Sequence, residues 1–353
     1  MIRILVASGA RPTCELLTRM LQPDSLLTVI GEASDGAQAV SMTRRLRPSL
    51  IVMDSQMLRL DGLEAMRRIM TEIPTAIVIA SDDSDAERHE REMSALKAGA
   101  LTIVRSPRSW HEQDFPEASR EMISTVKAMA PIKLVRRWPD RPSWSANRAR
   151  LPPPLPSLGI RAVRPRLVAM AASTGGPGAL LEILHGLAPD FPLPILVVQH
   201  IAGGFTNSLV RWLNSGCQLR VKIAEDGEQI LPGNVYVAPD GRHLGISAAS
   251  AIVLSDAPLI GRFRPSANHL FERVAEAFGA GSVCVMLTGM GEDGVAGLAS
   301  VRRAGGFVIA QDEASSVVFG MPGNAVAAGL ADMVLPLADI RAELVQLALL
   351  PRS

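Results

Sequence analysis

Strand-length apolar runs alternate with stretches of helical spacing along most of the chain, and few folds accept that alternation. Between residues 2 and 129 the candidate strands are Arg3–Ala7, Thr28–Gly31, Leu50–Asp54, Ala76–Ser81 and Leu101–Arg105. Helical patterns such as Leu63-Glu-Ala-Met-Arg-Arg-Ile-Met70 lie between them. A strand that returns through a helix pairs in parallel, so the expectation is a five-stranded parallel sheet covered on both faces. Such sheets collect function at the carboxyl ends of their strands. Asp54 and Ser81 each end a run there.

The pattern stops at Ala130 and resumes at Arg166. The stretch between is rich in proline (131, 139, 142, 152, 153, 154, 156, 165) and arginine (136, 137, 141, 148, 150, 161, 164). That composition describes a solvated tether, and its basic residues suit an acidic surface. The expected division is 1–129, a linker 130–165, and a second α/β unit 166–350. The 353 residues, 48% hydrophobic and 20% charged, suffice for two cores. A net charge of +1 gives no pull toward nucleic acid or anionic lipid. Cys14, Cys217 and Cys284 form no metal or disulfide pattern. The opening apolar run is too short for a signal peptide, and no run is long enough to cross a bilayer. A cytoplasmic protein with no direct membrane insertion is expected.

In the second unit the turn Ala171-Ala172-Ser173-Thr174-Gly175-Gly176-Pro177 joins a strand to a helix. Such a turn lifts a hydroxyl and the free N–H groups of a helix start to one sheet edge. The same turn is also readable as an N-cap or an anion loop. Pro194-Ile-Leu-Val-Val-Gln-His200 stops at a histidine, and Ser282-Val-Cys-Val-Met-Leu-Thr288 leads into Gly289-Met290-Gly291-Glu292-Asp293-Gly294. Parallel neighbours would bring Ser173, His200 and Asp293 into one crevice, as acyl transfer by an activated serine needs. N–H groups at Thr174 or near Met290 would then serve an oxyanion. Three other imidazoles compete: His185 in the following helix, His243 opening a strand, and His269 in a helical stretch. Short strands at Val221-Lys-Ile, Asn234–Ala238, His243–Ile246 and Ala251–Leu254 make a β-rich insertion.

Two resemblances cover nearly the whole chain. The segment Val52-Met-Asp54-Ser-Gln-Met57-Leu-Arg-Leu-Asp61-Gly62 is similar to the phospho-acceptor region of two-component receiver domains. Ala172–Pro177, Val198-Gln-His200-Ile, Gly204–Ser208, Tyr236–His243, Arg264-Pro-Ser266, Leu287–Gly294 and Gln311–Pro322 resemble, in order, the chemotaxis protein-glutamate methylesterases. The resemblance implies a flavodoxin-like receiver joined to a doubly wound α/β methylesterase domain. It implies hydrolysis of glutamate γ-methyl esters on methyl-accepting chemoreceptors, and deamidation of receptor glutamines by the same route. It also implies a receiver that covers the catalytic crevice and an upstream chemosensory histidine kinase. Ser173 would be the nucleophile, His200 the base, Asp293 its orienter, and Thr174 and Met290 would line the site, with no cofactor for catalysis. Arg211, Arg262 and Arg264 are candidates for docking the acidic receptor helices.

The chain departs from the receiver pattern. Ala7-Ser8 stands where the family has an acidic pair, and Ser106 where it has a lysine, with Arg105 one position early. Mg²⁺ prefers several hard oxygen ligands, so regular Mg²⁺-dependent phosphorylation of Asp54 is not expected. A receiver fold kept as a docking or gating module is. Gly323-Asn324 stands where the methylesterases commonly have an arginine. Two rival functions remain: a catalytically idle chemosensory scaffold, and an esterase for small molecules.

Overall fold

The computed structural model describes residues 1–59, 62–82, 86–131 and 163–350. Most of the expected linker therefore lies outside the described residues. The first sheet holds β1 (Ile2–Ala7), β2 (Leu27–Ala33), β3 (Leu50–Asp54), β4 (Ala76–Ser81) and β5 (Thr102–Arg105). All its pairings are parallel, in the order β2-β1-β3-β4-β5. The helices between and after them are α1 (Arg11–Leu21), α2 (Gly36–Leu46), α3 (Gly62–Glu72), α4 (Ala86–Ala98) and α5 (Phe115–Met129). Every residue of β3 and β4 is buried, as strands covered on both faces must be. The sequence-derived strands agree with these to within a few residues.

The second unit starts with β6 (Leu167–Ala172), α6 (Gly176–His185), β7 (Ile195–Gln199) and α7 (Thr206–Gly216). Short strands follow: β8 (Arg220–Ile223), β9 (Asn234–Val237), β10 (His243–Ile246) and β11 (Ile252–Ser255). Then come α8 (Ala267–Phe278), β12 (Ser282–Met286), α9 (Val295–Arg303), β13 (Phe307–Gln311), α10 (Met321–Ala327), β14 (Met333–Leu335) and α11 (Leu337–Ala348). Seven strands form one parallel sheet, β14-β13-β12-β6-β7-β9-β8. Of the four short strands read as an insertion, only β10 and β11 pair apart as an antiparallel ribbon. The other two extend the main sheet beyond β7, because β9 finds parallel register with β7.

The chain passes from β6 to β7 on one side and later crosses back to β12 on the other. Strand order therefore reverses at β6, which opens a crevice at its carboxyl end. Alternate β6 side chains feed opposite faces. Val168, Met170 and Ala172 pack with Leu180, Leu184, Leu213 and Leu344, while Leu167, Ala169 and Ala171 pack with Phe271, Val274 and Leu298. These buried faces fix how far β6 projects, and so where Ser173 emerges.

The two units touch at that same edge. Met93 of α4 shares a core with Leu209, Trp212 and Leu213 of α7. Ile201, Ala202 and Phe205 pack against the first unit's Ala95, Leu96 and Ile103. Val317 and Val318 pack against the core that holds Met122 and Val126 of α5.

Candidate active site

Ser173 follows β6 directly. Its N–H donates to Thr288 O at 3.0 Å, and its carbonyl accepts from Gly176 N at 2.8 Å and Gln199 Nε2 at 2.8 Å. The turn passes through Gly175 at φ +78°, where a Cβ would strike Val317. Gly289 is needed on the facing loop, since a Cβ there would come 2.8 Å from Ser173 Cβ. The close approach of these two loops holds the serine still without enclosing it. Ser173 stays partly exposed.

His200 follows β7, the neighbour of β6, and its N–H donates to Ala172 O at 2.8 Å. Asp293 lies in the loop after β12, on the other side of β6. His200 Nε2 is 2.9 Å from Asp293 Oδ2, and both side chains are at least nine-tenths buried. The contact is short but off the line of a straight hydrogen bond, so it acts here as an electrostatic pair. The other ring nitrogen, Nδ1, is buried and has no hydrogen-bond partner. Catalytic hydrogen bonds often close only once substrate is bound.

Asp293 is held by the start of α8. Ser266 Oγ donates to Oδ1 at 2.7 Å, Ala267 N to Oδ2 at 2.7 Å and Asn268 N to Oδ1 at 3.1 Å. Burial pushes the carboxyl upward, but His200, the Ser266 hydroxyl and the Ala267 N–H together hold it below its ordinary value. An anion at a helix N-terminus also gains from the aligned peptide dipoles. Asp293 is thus kept as a carboxylate facing the imidazole. This cradle was not legible as a cradle: Arg264-Pro-Ser266 stood out only as part of a resemblance. A serine just before a helical run is a weak signal for what that helix start will hold.

Among the described residues, the Thr174 and Met290 N–H groups donate no hydrogen bond. Both flank Ser173, one on its own turn and one on the facing loop. Thr288 and Gln311 brace that arrangement. Thr288 Oγ1 donates to Thr174 O at 2.9 Å, and Gln311 Oε1 accepts from Thr288 N at 2.8 Å. Asn324, at the position that departs from the family pattern, donates to Gly291 O at 2.9 Å, beside Met290.

The competing imidazoles sit elsewhere. His185 Nδ1 lies 2.6 Å from Gly216 O. His243 is fully buried and stacks on His269 at a centroid distance of 4.7 Å. Arg264 donates to the carbonyls of Asp256 and Ala257 at 3.1 Å each and so braces the loop before α8. Arg262 is exposed and interacts electrostatically with Glu121 of α5.

Residues 168–344 match the family described as CheB methylesterase, and residues 4–110 match the response regulator receiver domain. The chain belongs to the CheB methylesterase family. It is 49% identical over 343 residues to protein-glutamate methylesterase/protein-glutamine glutaminase 4 of Myxococcus xanthus, covering 97% of this chain and 96% of that one. It is 48% identical over 336 residues to the corresponding enzyme 3 of Anaeromyxobacter dehalogenans, covering 95% of this chain and 96% of that one. The crystal structure of the Thermotoga maritima CheB methylesterase catalytic domain aligns over 52% of this chain and all of its own, at 42% identity and a TM-score of 0.51.

The receiver's acceptor pocket differs in kind. Asp54 is buried, and Ser8 Oγ donates to its Oδ2 at 2.7 Å, while Gln56 N donates to Oδ1 at 3.0 Å. Ser106 is buried, with its hydroxyl 3.3 Å from Pro107 O and 3.8 Å from Met20 Sδ. Arg105 pairs with Asp114 at 2.7 Å, so it does not stand in for the missing lysine. Among the described residues no group of three or more His, Cys, Asp or Glu side chains converges on a point where a metal would sit. A single carboxylate already occupied by a serine hydroxyl does not fit Mg²⁺, which takes six oxygens in near-octahedral geometry. No helix among the described residues is long and apolar enough to cross a membrane.

Proposed function

We propose that the chain is a serine hydrolase that removes methyl groups from glutamate γ-methyl esters of methyl-accepting chemoreceptors. It deamidates receptor glutamines by the same route, under control of its N-terminal receiver-like unit. The observation that carries this reading is the buried His200–Asp293 pair at 2.9 Å, set at the crevice where Ser173 ends the adjoining strand. A pure binding module has no use for an ionised acid buried against an imidazole.

In this reading Ser173 Oγ attacks the ester carbonyl and His200 takes its proton at Nδ1, the nitrogen turned away from Asp293. Asp293 stabilises the imidazolium that results. The Thr174 and Met290 N–H groups receive the oxyanion of the tetrahedral intermediate. The proton on His200 then passes to the departing methoxide, and methanol leaves an acyl-enzyme on Ser173. Water, deprotonated by the same ring, attacks that acyl group, and the glutamate carboxylate and free serine are released. A glutamine side chain follows the same steps with ammonia as the first product. Each step uses groups of this chain and water.

The units are read as 1–129, a linker 130–165 and 166–350, with the first covering the second. Ile201, one residue beyond His200, is packed by the first unit, and so is Val317, beside Gly175. The cover therefore lies on the rim that the substrate glutamate must reach. We read Asp54 as a structural carboxylate capped by Ser8, and not as an acceptor that works through Mg²⁺. The deciding test of the catalytic reading is methanol release from methylated chemoreceptor membranes, together with fluorophosphonate labelling. Labelling confined to Ser173 with methanol release supports it. Turnover of small esters alone points to a general esterase, and no labelling points to a scaffold.

A further inference from the structure

The segment between β11 and α8 touches the site twice. Ser266, at its end, donates to Asp293 Oδ1 at 2.7 Å. Phe263, three residues earlier, lies flat on the His200 ring, with centroids 4.1 Å apart and planes within 6°. The segment is not slack. Ile260 and Phe263 exchange backbone hydrogen bonds of 3.2 and 3.1 Å around Gly261, whose φ of +63° suits the first central position of a tight hairpin turn. Beneath the segment His243, with no exposed surface, reaches both ends: Nε2 lies 3.1 Å from Pro258 O, and Nδ1 accepts from Ser266 N at 3.2 Å. An imidazole that accepts at Nδ1 and donates at Nε2 is neutral and in one tautomer.

We propose that Phe263 and His243 are positioning residues of the hydrolytic site: Phe263 fixes the plane of the His200 ring, and His243 staples the Pro258–Ser266 segment that carries both Phe263 and Ser266. The proposal rests on the catalytic reading of Ser173, His200 and Asp293. Its physical basis is the ring's remaining freedom. His200 contacts Asp293 at one edge, off the line of a straight bond, and its other nitrogen has no partner. Such a ring can turn about its Cβ–Cγ bond, and a small turn redirects Nδ1, the nitrogen that must take the serine's proton in that reading. A flat stacked ring blocks that turn and keeps water off the imidazole face. Misplacement of a reacting group by about 1 Å costs about a hundredfold in rate. Phe263 touches neither Ser173 nor a bound ester in this reading, so its effect falls on kcat.

The experiment uses the full chain with F263A, F263Y, H243L and H243N, and S173A as control. Activity is read as methanol release from methylated receptor membranes, and the bond-forming step as the rate of fluorophosphonate labelling. F263A is expected to lower kcat and the labelling rate by roughly tenfold or more with KM unchanged. F263Y, which keeps the ring face, is expected to recover most of that loss. H243L is expected to lower kcat in the same way, and H243N, which keeps an acceptor for the Ser266 N–H, to recover part of it. Should H243L fail to fold, H243N tests the staple and the F263A and F263Y pair tests the stacked ring; a folded His243 variant with wild-type kcat and labelling rate removes His243 from the proposal. If F263A keeps the wild-type kcat and labelling rate while S173A is inactive, the proposal falls and the catalytic reading stands. If F263A raises KM alone, Phe263 is a substrate contact and the proposal falls. If S173A keeps full activity, the catalytic reading itself falls.

Discussion

Both halves of this chain end parallel strands on polar residues at the carboxyl edge of a sheet, yet the two edges are finished differently. At the first edge Asp54 meets Ser8 at 2.7 Å and the Gln56 N–H at 3.0 Å, and the position of the expected lysine is the inward-facing Ser106. Asp54, Ser8 and the Gln56 N–H satisfy one another there, while the neighbouring Ser55 Oγ is buried without a partner among the described residues. At the second edge the carboxylate of Asp293 is saturated by the start of α8, but His200 Nδ1 is buried without a partner. The Thr174 and Met290 N–H groups also have no acceptor among the described residues. A buried polar atom left unpaired costs about 1–3 kcal/mol. Asp54 escapes that cost through Ser8 and the Gln56 N–H. In the proposed reading, a substrate in the crevice beside Ser173 completes the bonding of His200 Nδ1 and of the Thr174 and Met290 N–H groups.

The comparison breaks most readily at Ser173. S173A is expected to cut methanol release by roughly 10⁴-fold or more, and D293N by roughly 10³-fold, with fold retained by circular dichroism. Loss of less than tenfold in both would make the second edge as idle as the first. Removing the cover comes next. Residues 160–353 alone are expected to hydrolyse receptor esters at least about tenfold faster than the full chain, the effect of a cover worth about 1.4 kcal/mol. Equal rates would mean that the packing of Ile201 and Val317 gates nothing.

The first edge gives the sharper chemical contrast. Acetyl phosphate with Mg²⁺ is expected to leave Asp54 unlabelled in the wild-type chain. A7E/S8D/S106K, which restores an acidic pair and a lysine, is expected to take up label there, read by mass spectrometry. Stable labelling of the wild-type chain would show that one carboxylate suffices.

The smallest effect is on stability against pH. His269 is pushed down to about 4, first by burial and then by His243 and Arg273. A group with a folded value below its unfolded one stabilises above the unfolded value, near 6.5 for histidine, and that stability is lost as pH falls toward about 4. Asp293, also lowered, keeps its contribution until pH falls below the ordinary carboxylate range. The Tm of H269Q is therefore expected to decline less than wild type between pH 7 and pH 5, by roughly a few degrees, in calorimetry. Parallel declines would remove His269 as the cause.

The sequence by itself determined the two alternating units, the strands that stop at Asp54, Ser173 and His200, and the Gly-rich loop that carries Asp293. These are local matters: a period, a run length and a turn residue are each read within a few positions. It left His185, His243 and His269 as rivals to His200, and Arg105 as a stand-in for a lysine. Only tertiary structure places the histidines relative to Ser173 and Asp293, because the contacts concerned join residues far apart in the chain. Strand order set β7 and not another strand beside β6, which brought His200 to the crevice. Packing of α8 delivered Ser266 to Asp293, and packing of the ribbon turned His243 beneath the Pro258–Ser266 segment. The bond from Ser8 to Asp54, which fills the first edge, spans 46 positions of sequence. No local pattern reaches that far, since such a partner is chosen by the sheet's register and the burial that follows from it.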